Sequence, residues 1–240
     1  MPKPFKEWTV LPHGKLTRLE DNLLSVEGEL HMPLGDFPRR MTVVRLDDGR
    51  LIIYSAIALD EDEMRALEGY GTPTFLVVPN NLHRLDAKIW HDRYPGMKVL
   101  APVGVRDKVE EIVPVDATKV TFADPDVRFI PIPGTDDREV ALLVHSAGGT
   151  TLVVNDLIWN VHDRPGFGGW VFSVLGLTGK EPRIPTIVEL RAIKDKDALR
   201  AQLEAWSRIP DLSRIIVSHG SIVTRDAPAH LARLATELAA

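Results

Sequence analysis

Short apolar runs cut off by Gly, Pro, Asn or Asp alternate along this chain with stretches whose apolar residues recur at helical spacing. That punctuation predicts strands and helices in turn. Leu23 to Leu30 reads as a strand, and Met32 to Arg40, broken by Pro33, Gly35 and Pro38, as a loop. Met41 to Leu46 and Leu51 to Tyr54 flank Asp47, Asp48 and Gly49, which predicts an antiparallel hairpin. Asp60 to Tyr70 follows as a helix, with Glu61, Asp62 and Glu63 near the positive end of its dipole. Phe75 to Val78 has the β-branched and aromatic character of a buried strand, ended by Pro79. Leu82 to Arg93 then predicts a helix of about three turns, stopped by Pro95 and Gly96.

Lys98 to Ala101 reads as a further strand and Val105 to Glu110 as a short helix, so this half of the chain predicts an α/β layer around a mixed sheet. Val127 to Ile132, Glu139 to His145 and Thr150 to Asn155 are strand candidates separated by PGTDD and SAGGT, a pattern that suits a meander. Asn160 to Gly176 collects Gly, Pro, Phe167, Trp170 and Phe172, as expected of a loop that covers a pocket or packs on outer helices. Ile187 to Trp206 contains an amphipathic helix whose strongest part, Asp197 to Trp206, sets Leu199, Leu203 and Trp206 on one stripe. Arg214 to Ser218 predicts the last strand, and Ala227 to Ala239 a terminal helix capped by Asp226 with Pro228 in its first turn. Nothing resembling a linker divides residues 1–240, so a single domain is expected, with 1–21 as an irregular lead-in.

Composition narrows the chemistry. The 44% hydrophobic and 26% charged content is that of a globular chain able to fill a core. A formal charge of -5, with no basic stripe interleaved by aromatics, argues against a nucleic-acid partner. The absence of cysteine removes disulfides, thiolate metal sites and cysteine nucleophiles, leaving His, Asp, Glu or Asn for any metal. No apolar run suits a signal peptide or a membrane span, and a cytoplasmic location is the expectation. Neither a GxxxxGK[ST] loop nor a GxGxxG after a strand is present, and Ser218-His219-Gly220-Ser221 lacks a nucleophile elbow.

Three residues recur in one setting, directly after an apolar strand: His83 after FLVVPNN, Asp156 at the end of TTLVVND, and His219 after RIIVS. Strand ends that converge on one rim bring distant residues within reach of one ion, and two imidazoles with a carboxylate suit zinc or iron. His83 and Asp86 are three apart and so can face a common point. The competing expectation is structural, with Asp156 and Asp86 holding backbone amides and both histidines held by hydrogen bonds. Arg84, His91, His145 and His162 are further candidates for the pocket, and Trp90, Trp159 and Trp170 for an apolar lining, although ion pairing and core packing are the commoner fates of such residues.

The order of elements, together with PNNLHRLD after a strand, IPIPG, NDLIW and VSHG, resembles the metallo-β-lactamase superfamily, and within it a DUF4336-like branch, over roughly Leu23 to Ala239. The resemblance implies a four-layer αββα sandwich and a metal centre that activates water for hydrolysis. Its first motif, His-x-His-x-Asp-His, falls on Asn81, His83, Leu85 and Asp86; its next His falls on Pro131; its bridging Asp and final His fall on Asp156 and His219. Leu85 and Pro131 have no ligating side chain, so the pattern is degenerate, and a mononuclear site of His83, Asp86, Asp156 and His219 is what it leaves.

Two functions follow as expectations. One is a hydrolase of a small ester, lactone, thioester or phosphate-like substrate, using one zinc, iron or manganese ion, with Asp156 and His219 as the catalytic pair: Asp156 or a metal-bound hydroxide starts attack, and His219 and His83 hold the ion. The other is a catalytically inactive ligand-binding or protein-interaction module that keeps the fold without a metal. Self-association is left open by the sequence.

Overall fold

Strand alternation sorts the apolar residues into three layers of core, and these layers define the architecture. The computed structural model describes residues 3–32, 35–162, 173 and 176–239. Its first sheet runs in the order β1 (Thr17–Glu20), β2 (Leu23–Met32), β3 (Gly35–Arg45), β4 (Arg50–Tyr54), β5 (Thr72–Val77) and β6 (Lys98–Leu100). The first three pairings are antiparallel and the last two parallel. The second sheet contains β7 (Val127–Pro131), β8 (Val140–Ser146), β9 (Gly149–Val154) and β10 (Leu212–Val217), with β7, β8 and β9 an antiparallel meander and β10 parallel to β9.

Because side chains alternate across a strand, Ile53 and Leu76 face one layer while Ile52, Tyr54 and Val77 face the other. The middle layer joins the sheets: Val44, Ile52 and Val77 pack with Val140, Leu142, Val153 and Ile216. The outer face of the first sheet is covered by α1 (Glu61–Tyr70), α2 (Ala87–Arg93) and α3 (Arg106–Glu110), through residues that include Met64, Leu67, Trp90 and Val109. The outer face of the second is covered by α5 (Lys196–Ser207) and α6 (Ala227–Leu238), through Leu199, Leu203, Leu231 and Leu234. A further helix, α4 (Thr186–Ala192), precedes α5. This is the expected αββα sandwich. Each fully buried aliphatic side chain contributes about 1.5–3 kcal/mol, so the layers jointly dominate the stability.

Several local expectations change. Within the stretch expected as a loop from Met32 to Arg40, the described residues from Gly35 onward form a strand: β3 begins at Gly35 and pairs with β2 through Glu29 and Pro38. Proline is accommodated because β4 pairs only with Thr42 to Arg45, leaving β3 with one strand neighbour at Pro38. The expected lead-in contributes β1. The helix expected from Leu82 begins at Ala87, because the Asn80 side-chain oxygen accepts from the Leu82 and His83 amides and holds a turn there instead. Asp226 precedes α6 in a left-handed conformation without a side-chain cap, unlike Asp60, whose carboxylate accepts from the Glu63 amide at the start of α1. In the loop expected at Asn160 to Gly176, Phe167, Trp170 and Phe172 lie outside the described residues.

Candidate functional site

The parallel strands deliver their carboxyl ends to one rim, where residues following β4, β5, β9 and β10 meet. Asp156 follows β9, and its Oδ1 lies 2.8 Å from His219 Nε2 and 3.1 Å from His83 Nε2. The two Nε2 atoms are themselves 3.1 Å apart. Among the described residues, this is the group of His, Asp or Glu side chains able to offer three ligand atoms to one ion.

The hydrogen bonds behind these atoms say what they present. His219 Nδ1 donates to the Pro38 carbonyl at 2.7 Å, and a carbonyl can only accept, so Nδ1 carries a proton and a neutral His219 turns the Nε2 lone pair inward. His83 Nδ1 lies 2.8 Å from Ser55 Oγ. With the hydroxyl as acceptor, His83 also turns a lone pair inward, and two imidazole lone pairs then share a centre with a carboxylate oxygen. Only a cation or protons can reconcile three such acceptors. Donors bound to zinc at about 2.0–2.1 Å in tetrahedral geometry stand about 3.3 Å apart, close to the separations found here, so the residues fit a metal ion.

The surroundings hold the carboxylate in place. Asn80 Nδ2 donates to Asp156 Oδ2 at 2.7 Å and to Glu139 Oε1 at 2.5 Å, bridging the end of β5 to the second sheet. In the metal-free arrangement with protons on the inward nitrogens, burial works against ionisation of Asp156, but the charge on a protonated His83 and the N–H donors of His219 and His83 outweigh it and hold this carboxyl well below its usual range. Burial pushes the Glu139 carboxyl well up, and the negative charge of Asp156 adds to the effect, against the opposing hydrogen bond from Asn80. Ser55 has φ 56°, an uncommon conformation for a residue other than glycine, immediately after β4. Trp159 and Phe37 pack on the His219 ring, each with its ring centroid 4.7 Å away.

Asp86 is placed differently from its sequence neighbour His83. Its Oδ2 accepts from Arg39 at 2.5 Å and its Oδ1 from the Ala58 amide at 2.9 Å, and the three-residue group does not include it. Burial pushes the Asp86 carboxyl up, against the opposing influence of Arg39. Arg84 turns outward to Glu111 and the Lys108 carbonyl. His145 is bonded to Thr150 and Asp211, Trp90 is buried in the outer core, and His162 lines a separate cavity beside Asn160 and Ser221. Leu85 lines the same cavity as His83, and Pro131 lies on β7.

Ser55, Asn80, Glu139 and Arg39 complete the site; of these, Asn80 stands at the strand end inside the PNNLHRLD motif. Ser55 carried the available signal, since it too is polar and directly follows an apolar strand. Arg39 lay in a stretch that reads as a loop. A cavity of about 300 Å³ opens over the group, with His83, Asp156 and His219 in its wall beside Leu30, Phe37 and Leu82.

No protein-family model matches the chain, and no curated protein matches its sequence. Solved structures do resemble it. The metallo-β-lactamase FIM-1 from Pseudomonas aeruginosa, in its mono-zinc form, superposes with a TM-score of 0.63 at 15% identity, covering 95% of this chain and 96% of that one. The metallo-β-lactamase DIM-1 gives 0.64 at 15% identity, covering 95% and 99%. A metallo-β-lactamase from Erythrobacter litoralis gives 0.60 at 15% identity, covering 92% and 96%. The chain therefore has a metallo-β-lactamase-like fold over most of its length. No helix among the described residues is long and apolar enough to cross a membrane.

Proposed function

We propose that this chain is a mononuclear metal-dependent hydrolase of the metallo-β-lactamase superfamily, in the DUF4336-like branch, acting on a small ester, lactone, thioester or phosphate-like substrate. The observation that carries the reading is the approach of His83 Nε2, His219 Nε2 and Asp156 Oδ1 to within 3.1 Å of one another, each braced from behind. Two imidazoles and a carboxylate are the ligand set of an open catalytic site, and zinc, iron or manganese held there supplies Lewis acidity and a water of lowered pKa.

The chain's own groups do the rest. Asn80 holds Asp156 Oδ2, leaving Oδ1 as the oxygen shared with His83 and His219, and the Pro38 carbonyl fixes the tautomer of His219. Asp86 in this reading is a supporting residue that pairs with Arg39. The apolar wall limits water around the reacting group, which suits a small substrate with an apolar portion.

A second reading has a specific observation behind it. The same contacts form a closed hydrogen-bonded set if His83 and His219 each carry a second proton, with Phe37 and Trp159 providing an aromatic edge for a bound ligand. In that case the protein is a binding module without a metal. Elemental analysis after equilibration with zinc, manganese or iron and removal of free ion separates the two. The hydrolase reading expects about one ion per chain, lost in His83→Ala and Asp156→Ala while the variants remain folded; metal-free protein from all three incubations sinks it.

A further inference from the structure

Ser55 directly follows β4 and has φ 56°, a left-handed backbone that is strained for a residue with a Cβ. It stands in the wall of the 300 Å³ cavity together with His83 and Asp156. Ser55 Oγ lies 2.8 Å from His83 Nδ1, and the other nitrogen of that ring, Nε2, lies 3.1 Å from Asp156 Oδ1. Asn80 holds the remaining oxygen of Asp156. A hydroxyl, an imidazole and a buried, braced carboxylate therefore stand in series, the arrangement by which a serine is activated as a nucleophile. A strained residue at a strand end is a second feature of such serines, present here without flanking glycines, since Tyr54 and Ala56 are the neighbours. The serine meets the ring at Nδ1, and the series is unaffected, because either ring nitrogen can accept while the other donates.

The direction of the bond between Ser55 and His83 depends on what the inward nitrogen holds. When His83 Nε2 gives its lone pair to a cation, Nδ1 carries the proton and Ser55 accepts. When no cation is held, the neutral ring with its proton on Nε2 donates to Asp156, and Nδ1 accepts from Ser55. We propose that in this second state Ser55 is a catalytic nucleophile towards small apolar aryl esters, with His83 as its base and Asp156 orienting the ring. In the acylation step Oγ bonds to the ester carbonyl carbon as its proton passes to His83 Nδ1. The bond from that carbon to the phenol oxygen breaks, and the departing phenolate takes the proton. In the second step a water oxygen bonds to the acyl carbon, and its proton passes through His83 Nδ1 to Oγ as the acyl–Oγ bond breaks and the carboxylic acid leaves. Leu30, Phe37, Ile57 and Leu82 share the cavity wall with Ser55 and suit an apolar acyl group. This activity goes beyond the metal-dependent hydrolase and does not rest on it, because it needs no ion.

The test uses full-length protein dialysed against a chelator. An alkyl phosphonofluoridate, which leaves a stable adduct on an activated serine, is mapped by peptide mass spectrometry, and p-nitrophenyl butyrate gives the rate. The adduct is expected on Ser55, with ester turnover at least about 100-fold faster than in His83→Ala, the usual range for loss of a general base. Ser55→Gly, which suits the left-handed backbone, should lose both adduct and turnover; should it fold poorly, the mapped position and the His83→Ala comparison carry the test. No adduct on Ser55, turnover that persists in folded Ser55→Gly, or labelling that is equally fast in His83→Ala overturns the proposal. Protein loaded with one zinc per chain should label at least about tenfold more slowly, and labelling unchanged by bound zinc also overturns it. Metal stoichiometry is measured separately, so a chain that binds no zinc sinks the metal-dependent reading while the labelling of Ser55 still decides this one.

Discussion

The Nε2 atoms of His83 and His219 lie 3.1 Å apart, although the residues are separated by 136 positions and follow strands of different sheets. At that distance a proton or a metal ion has to lie among the two rings and Asp156.

Asn80 acts on two of the three group members at once, through the Asp156 carboxylate and the His83 backbone amide. Asn80→Ala should weaken zinc affinity about 10–100-fold, the usual cost of losing an outer partner of a metal ligand. Competition with a chromophoric chelator measures it. An affinity unchanged within error would show that Asp156 needs no such support.

Ser55 offers a way to separate stability from ligand orientation. Its left-handed backbone suits glycine, and the penalty for a residue with a Cβ is about 1–2 kcal/mol. Ser55→Gly should therefore leave the melting temperature equal or higher while lowering metal affinity about tenfold, since His83 Nδ1 loses its partner. Thermal melts and metal titrations of the same preparation check both halves.

Glu139 and Asp156 predict opposite responses to pH. Glu139 has a raised folded pKa, so its contribution is fully present below the unfolded carboxylate value of about 4.3 and is lost as pH rises towards the folded value. Asp156 has a lowered folded pKa, so its contribution is present above about 3.9 and is lost as pH falls through the folded value. Glu139→Gln, which keeps an acceptor for Asn80, should gain stability over the parent as pH rises from 5 to 8, with each kcal/mol worth about 2–4 °C. Parallel melting curves across that range would contradict a raised folded pKa for Glu139.

Gly220 follows His219 with φ 94°, and an added Cβ would stand 2.1 Å from the Asn160 carbonyl oxygen. Gly220→Ala should cost roughly 2–4 kcal/mol, because the close pairing of Asn160 with His219 and Ser221 leaves no room to adjust. Chemical denaturation measures the loss.

Much of this was legible in the sequence because it depends on strands. The runs ending at His83, Asp156 and His219 are apolar and punctuated, and their shared position at strand ends was enough to group three residues that do meet. The hairpin around Gly49 and the meander from Val127 to Val154 followed from the same periodicity. What could not be read was side-chain traffic between distant elements. Asp86 sits three residues from His83, yet Arg39 and the Ala58 amide draw its carboxylate to a different contact. Leu82 to Asp86 has helical residues, but the Asn80 side chain takes two of the amides that would open the helix. Pro38 broke the pattern of β3 in the sequence because its tolerance depends on how far β4 extends beside it.

In the proposed hydrolase, His83, Asp156 and His219 hold one metal ion together. Anomalous scattering from crystals grown with zinc, recorded on both sides of the zinc absorption edge, tests it most directly. One strong peak is expected about 2.0–2.2 Å from His83 Nε2, His219 Nε2 and Asp156 Oδ1. Crystals that show no anomalous peak at these atoms, with Asp156 still bonded to both imidazoles, would contradict it.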